Sequence, residues 1–247
     1  MRTQKVIFPN QQALCVFPDS RSDLKQAISE LQLKANYPVI VLIGGGIEEQ
    51  QADATRQATQ TISRIAEDMN ALVICGGTDM GVMAEIGEMR WHYRYRFPLV
   101  GITLEELVTW PGGPHGTKLL WWGTERWQLA PHYSHFILVP GSEFGDESPW
   151  IVDSATILSE GHQSVTILIN GGEVSQKDIA LSLEKGRPVI ALSGTGRLAD
   201  KLAKQLNLNR LITVVPADDE ERIVEVVKAA LSVNVGSVQP QSVIRTT

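Results

Sequence analysis

The chain has 247 residues, 43% hydrophobic and 20% charged, which is ample material for one large α/β domain and excludes disorder over most of its length. A formal net charge of −6, with no Lys/Arg-rich run, argues against a nucleic-acid partner held by phosphate neutralisation. Two cysteines, Cys15 and Cys75, are too few for a disulfide framework, and no apolar run reaches the roughly 18 residues of a membrane span, so the expected address is the cytoplasm.

Residues 1–36 read as an extension. Val6–Phe8 and Ala13–Phe17 are strand-like runs divided by Pro9–Asn10–Gln11–Gln12, a hairpin turn, and Leu24, Ala27, Ile28 and Leu31 recur at helical spacing. The extension is expected to pack on one edge of the sheet that follows.

The domain proper, residues 37–232, alternates apolar runs with helical stretches. The runs are Pro38–Ile43, Ala71–Cys75, Leu99–Thr103, His135–Val139, Val165–Ile169, Pro188–Leu192 and Leu211–Val215. Continuous apolar runs suit parallel strands covered on both faces, and right-handed crossovers then place helices on both sides. The expected fold is α/β, a doubly wound, mostly parallel, Rossmann-like sheet of about seven strands. Between Leu104 and Pro131 the pattern lapses into an insert carrying Trp110, Trp121, Trp122 and Trp127, four of the six tryptophans. That is too much apolar surface to leave in water, so the insert is expected on the sheet top, a partner subunit or a ligand base. Residues 233–247 are expected to be a loosely held tail.

Five of the strands end in glycine-rich loops. They are Gly44–Gly45–Gly46; Gly76–Gly77–Thr78 with Gly81; Pro140–Gly141 through Gly145; Gly171–Gly172; and Gly194–Thr195–Gly196. In a parallel sheet such loops share the carboxyl edge, where ligands bind at the reversal of strand order. Glycine lets backbone N–H groups approach a ligand, and the helices that follow aim their N-termini at anions. Arg197 opens a helix, electrostatically the wrong end for a cation unless an anion meets it or Asp200 pairs with it one turn on. Thr78 and Thr195 offer hydroxyls to phosphate or ribose, and Asp79 is placed to cap its helix. Glu147, on a first helical turn, suits a ribose hydroxyl, general acid/base work or simple dipole matching. The histidines have no partners spaced to form a metal site, and no Ser-His-Asp order or G-x-S-x-G elbow is present.

At these loops the chain resembles the SLOG superfamily of Rossmann-like nucleotide-ligand domains. More narrowly it is similar to the prokaryotic relatives (LSDAT-like) of the N-terminal domain of melastatin-type transient receptor potential channels. The resemblance runs from Ile43–Gly44–Gly45 and Gly76–Gly77 with Gly81, through Ser134–Val139 and Gly145–Asp146–Glu147. It continues with Asn170–Gly171–Gly172 and Gly194–Thr195–Gly196–Arg197–Leu198–Ala199–Asp200. It implies a sensor of NAD-derived nucleotides such as ADP-ribose, with diphosphate on Gly76–Gly81 and Gly194–Arg197 and Glu147 on a ribose. Its output would run through an effector protein or a homodimer. A more distant resemblance, at Gly76–Met83, is to the cytokinin-activating (LONELY GUY, lysine-decarboxylase-like) phosphoribohydrolases. Their P-G-G-x-G-T-x-x-E motif becomes Pro140–Gly141–Ser142–Glu143–Phe144–Gly145–Asp146–Glu147 here, with a changed spacing to the glutamate. That relation implies an N-ribosyl hydrolase of nucleoside monophosphates, with Glu147 or Glu143 as the catalytic candidate. A third expectation is a structural dimerisation domain whose glycines only make turns.

Overall fold

Unbroken apolar runs have no solvent face, so the strands they form must be covered on both sides, and that requirement sets the architecture. A computed structural model describes residues 1–33, 36–114 and 126–232. The expected tail at 233–247, and His115, Trp121 and Trp122 within the insert, lie outside the described residues.

The chain opens with strands β1 (Arg2–Ile7) and β2 (Gln12–Phe17), then helix α1 (Leu24–Glu30). Strand β3 (Val39–Gly44) leads to α2 (Ala52–Asp68), β4 (Leu72–Cys75) to α3 (Gly81–His92), and β5 (Leu99–Leu104) into the insert. The insert contributes two short strands, β6 (Val108–Thr109) and β7 (Trp127–Gln128). Then follow β8 (His135–Val139), α4 (Ser148–Leu158), β9 (Ser164–Ile169), α5 (Glu173–Glu184), β10 (Val189–Ser193), α6 (Arg197–Ala203), β11 (Ile212–Pro216) and α7 (Glu220–Ser232).

The main sheet runs β1-β2-β8-β5-β4-β3-β9-β10-β11, nine strands where about seven were expected. The difference is the N-terminal hairpin. Its strands pair antiparallel with each other, and β2 adds parallel to β8, so the hairpin lengthens the sheet itself. The other neighbouring pairs are parallel.

Alternation along each strand divides the core. In β3, Ile40 and Leu42 pack on one face with Ile62 and Ile65 of α2, Ile86 of α3 and Ile223 of α7. Val39, Val41 and Ile43 pack on the other with Ile28 of α1, Trp150 and Ile151 of α4, Ile179 of α5 and Leu202 of α6. Helices thus cover both faces, as doubly wound connections require. The chain order β3, β4, β5, β8 proceeds outward in one direction; β9 then returns beside β3, and β10 and β11 proceed in the other. The reversal lies between β3 and β9. Their register, Val39 opposite Ser164 through Gly44 opposite Ile169, makes the two following turns leave the sheet side by side.

Close packing of aromatic rings on glycine fixes the middle of the sheet. Phe136 of β8 stands opposite Gly101 of β5, and a Cβ on Gly101 would sit 2.6 Å from its ring and 2.9 Å from Gly77 Cα. The ring also stacks on Tyr133 at 5.3 Å and reaches Phe8 of the hairpin turn at 6.3 Å. Gly101→Ala is therefore expected to cost about 1–3 kcal/mol by overpacking. The readout is a lowered midpoint of thermal unfolding, partly restored by Phe136→Leu in the same chain.

Candidate functional site

Four turns meet at the sheet reversal, and backbone contacts hold them together. Val82 N–H, in the first turn of α3, donates to the Gly45 carbonyl at 3.4 Å. Gly81 takes φ +51, and a Cβ there would lie 2.1 Å from that same carbonyl oxygen, so the β4–α3 turn can pass the β3 turn only as glycine. On the other side, Asn170 N–H donates to Thr195 Oγ1 at 2.8 Å and Asn170 Nδ2 to the Thr195 carbonyl at 3.0 Å. The first turn of α6 completes the junction, with Leu198 N–H and Ala199 N–H donating to the carbonyls of Gly171 and Asn170.

This junction aims Arg197. The residue adopts φ +45, a left-handed conformation that costs a non-glycine residue roughly 1–2 kcal/mol. Its guanidinium lies between two glycine turns: a Cβ on Gly172 would be 2.7 Å from Nη2, and one on Gly45 would be 3.0 Å from Nη1. Among the described residues Arg197 forms no ion pair. Asp200, the alternative partner to an anion, instead accepts the Gly194 N–H at 2.6 Å.

Beside Arg197 opens a pocket of about 330 Å³, lined among others by Gly44, Gly45, Gly76, Thr78, Glu147, Gly172 and Arg197. Its apolar wall includes Met80, Met83 and Ile151, with Trp127 and Phe144, 38% and 40% exposed, among the lining aromatics. The insert places Trp127 there. β7 pairs with β6, Ala130 N–H donates to the Gly77 carbonyl, and Asp79 N–H donates to the Gln128 carbonyl, zipping the end of the insert onto the β4–α3 turn. Trp110, by contrast, belongs to the core, 5.7 Å from Phe17.

Glu147 and Asp178 form the acidic wall. Glu147 is buried at the start of α4, where its Oε2 accepts the Gly145 N–H at 2.7 Å. Gly145 takes φ +107, and its carbonyl accepts Lys177 Nζ at 2.7 Å. Burial pushes the Glu147 carboxyl up, against backbone N–H groups that pull it down. Asp178, on α5, rises to about 6, first through burial and then through the neighbouring Glu147 charge. The Ser148 hydroxyl offsets this only in part, since neither Ser148 Oγ nor Asp178 Oδ1 completes a hydrogen bond among the described residues.

Several expected site residues line no part of the pocket, because their glycines serve the backbone. Gly77 backs onto Gly101 and Phe136, Gly141 onto Leu104 and Asp146, and Gly171, at φ +88, onto Leu168. Gly196, at φ +96, meets Gln51. Thr195 spends its hydroxyl on the Leu192 carbonyl at 2.6 Å, Gly194 donates to Asp200, Gly81 clears the Gly45 carbonyl, and Gly145 holds Glu147. Gly46 and Pro140 stand outside the pocket wall, as does Glu143, which is exposed. Asp79 does not cap α3; Met80 is the extended residue before it.

Asp178 escaped the sequence reading, although a signal for it exists. Asn170–Gly171–Gly172–Glu173–Val174–Ser175–Gln176–Lys177–Asp178 keeps the glycine-to-acid spacing of P-G-G-x-G-T-x-x-E, with Asn for Pro, Val for the third Gly, Ser for Thr and Asp for Glu. This stretch keeps the two leading glycines and the spacing, and it follows β9, one strand beyond Pro140–Glu147.

A family model described as SLOG in TRPM, prokaryote, matches residues 37–235. The chain belongs to that family. No curated protein matches this SLOG domain. Among solved structures it is similar to TM1055, at 20% identity and a TM-score of 0.55, covering 78% of this chain and 99% of that one. It is also similar to the Moco carrier protein from Chlamydomonas reinhardtii, at 20% identity and a TM-score of 0.51, covering 79% and 100%. At these identities the likeness is one of fold.

The pH dependence of Asp178 has a definite sign. Its folded pKa of about 6 exceeds its ordinary 3.8, so its stabilising contribution is full below about pH 4 and is lost as pH rises through 6. Asp178→Asn is expected to stabilise the SLOG domain above pH 7 by up to about 3 kcal/mol. Denaturant unfolding at pH 5 and pH 8 checks this, the gain appearing mainly at pH 8.

Proposed function

We propose that this pocket is a nucleotide site, for a ligand drawn from the NAD-derived group that includes ADP-ribose, and that the domain acts as a binding module. The observation that carries the reading is the place of Arg197. Its guanidinium lies against Gly172, the residue that precedes α5, so a cation faces the positive end of a 12-residue helix. An anion between them resolves the conflict, meeting the guanidinium on one side and the N–H groups of the first helical turn on the other. Phosphate fits that position. At the far wall Asp178 Oδ1 is buried without a hydrogen-bond partner among the described residues, and the hydroxyls of a ribose would supply donors to it. The Moco carrier protein of similar fold supports a small-molecule ligand at the level of fold only.

A second reading is favoured by one observation, the proximity of two buried carboxyls with raised pKa. Such a pair suits hydrolysis of an N-ribosyl bond: one carboxylate takes a proton from the water that adds at the sugar carbon, the base departs with the bonding electrons, and the other carboxyl, protonated, gives the base its proton.

Calorimetric titration with ADP-ribose, NAD, cyclic ADP-ribose and AMP, each mixture then chromatographed, separates the readings. Saturable binding of at least one intact ligand is expected, weakened about 10- to 100-fold by Arg197→Ala. Released base moves the domain to the hydrolases, and the absence of heat with all four removes the nucleotide reading. Arg197→Gly supplies a measurement of opposite sign. Relief of the left-handed strain is expected to stabilise the fold by about 1 kcal/mol while affinity falls. An arginine placed for structure alone would lose stability instead.

A further inference from the structure

Resting on the nucleotide reading above, we infer that the pocket binds a divalent cation of the magnesium class together with a diphosphate ligand, the ion held by Asp178 and Glu147 on one side and by phosphate oxygens on the other. The charges of the wall call for it. Among the described lining residues Arg197 is the one cation, whereas Glu147, Glu173 and Asp178 are acids. Lys177 does not redress the balance, because its ammonium is held by the Gly145 carbonyl at 2.7 Å and it does not line the pocket. ADP-ribose and NAD carry two linked phosphates, and the guanidinium with the first turn of α5 provides for one. The other extends toward a wall of like charge, where a cation between them turns repulsion into coordination.

Asp178 sets this wall apart from a solvated acidic cluster. It is 7% exposed, and its Oδ1 has no hydrogen-bond partner among the described residues. A buried carboxylate oxygen without a donor is costly, and a hard cation satisfies it as a donor would. Burial and then the Glu147 charge raise the Asp178 carboxyl, so the two acids act on one another within the wall. Glu147 is oriented by the Gly145 N–H, which its Oε2 accepts at 2.7 Å, the kind of outer bond that fixes a metal-binding carboxylate. Neither acid is used up in this role, since a carboxylate has about four lone-pair sites and a ribose hydroxyl can donate to another of them. Asp178 follows Gly172 by six residues and stands about 9 Å further along the α5 axis, which leaves room for the second phosphate and the ion. The described residues offer no group of three acids, histidines or cysteines able to hold a metal, so the site is incomplete until the ligand's phosphates supply the remaining oxygens. Magnesium is bound in that way, through one or two carboxylates, phosphate oxygens and water, whereas calcium takes more oxygen ligands.

The test is the effect of magnesium on one dissociation constant. ADP-ribose is titrated calorimetrically into the unaltered chain, Asp178→Asn and Glu147→Gln, in magnesium chloride and, separately, in EDTA with potassium chloride at matched ionic strength. Thermal unfolding confirms that each variant is folded, and two separate variants keep the test decisive should one fail. Magnesium is expected to tighten ADP-ribose at least about fivefold in the unaltered chain and less than about twofold in either variant. A smaller gain in the unaltered chain overturns this inference and leaves the nucleotide reading standing. A gain of about twofold or more in a folded variant overturns the two-carboxylate site, because the ion is then held without that carboxyl. Absence of ADP-ribose binding in both buffers overturns the inference as well, and the nucleotide reading falls with it only if NAD, cyclic ADP-ribose and AMP also give no heat.

Discussion

A guanidinium held against the positive end of a helix is the constraint on which the rest of the site depends. Left in solution, Arg197 would turn away. It cannot do so freely, because the first turn of α6 is tied to the carbonyls of Asn170 and Gly171, and Asn170 is tied in turn to Thr195. Those bonds exist only because β9 and β10 are neighbours in parallel register, with the turn of β3 on the other side. The sheet reversal therefore does more than open a crevice. It brings the turns after β3, β4, β9 and β10 together as two hydrogen-bonded pairs and leaves side-chain room at Gly45 and Gly172, which the guanidinium fills.

Several features that oppose stability lie at this pocket. Arg197 is in a left-handed conformation, Glu147 and Asp178 are buried acids with raised pKa, and Asp178 Oδ1 lacks a partner among the described residues. In the scaffold, apolar runs are central strands and helices bury apolar residues on their own side of the sheet, while buried Arg187 and left-handed Gln32, Asn70 and Arg94 lie away from the pocket. Buried acids and a left-handed arginine lining one pocket make it the candidate site.

Much of this was legible before the fold was seen, for identifiable reasons. Val39–Ile43, Leu72–Cys75 and Val165–Ile169 declare parallel strands because a continuous apolar run has few other homes. The hairpin could be read as a hairpin, but its pairing with β8 joins residues about 120 positions apart, which no local pattern encodes. The loop glycines suit ligand contacts and simple turns alike, because a missing Cβ does not say what occupies its room. At Gly172 it is a guanidinium, at Gly101 a phenyl ring, and at Gly81 a carbonyl oxygen. The tryptophans divide in the same way, Trp110 into the core and Trp127 to the pocket. Asp178 stayed hidden because it lies inside a helix, where an acid ordinarily marks a solvated face.

The hairpin carries one more consequence. An open parallel sheet ends in a row of unpaired backbone groups, and without residues 1–17 that row would be the edge of β8, flanked by Phe136 and Leu138. The hairpin moves the border out to β1, whose Arg2, Thr3 and Gln4 are polar, while its inner strand keeps Cys15 and Phe17 buried. The family match begins at residue 37, so this guard lies outside it. What looks like a preface to the domain thus moves one border of the sheet from the largely apolar strand β8 to the more polar strand β1.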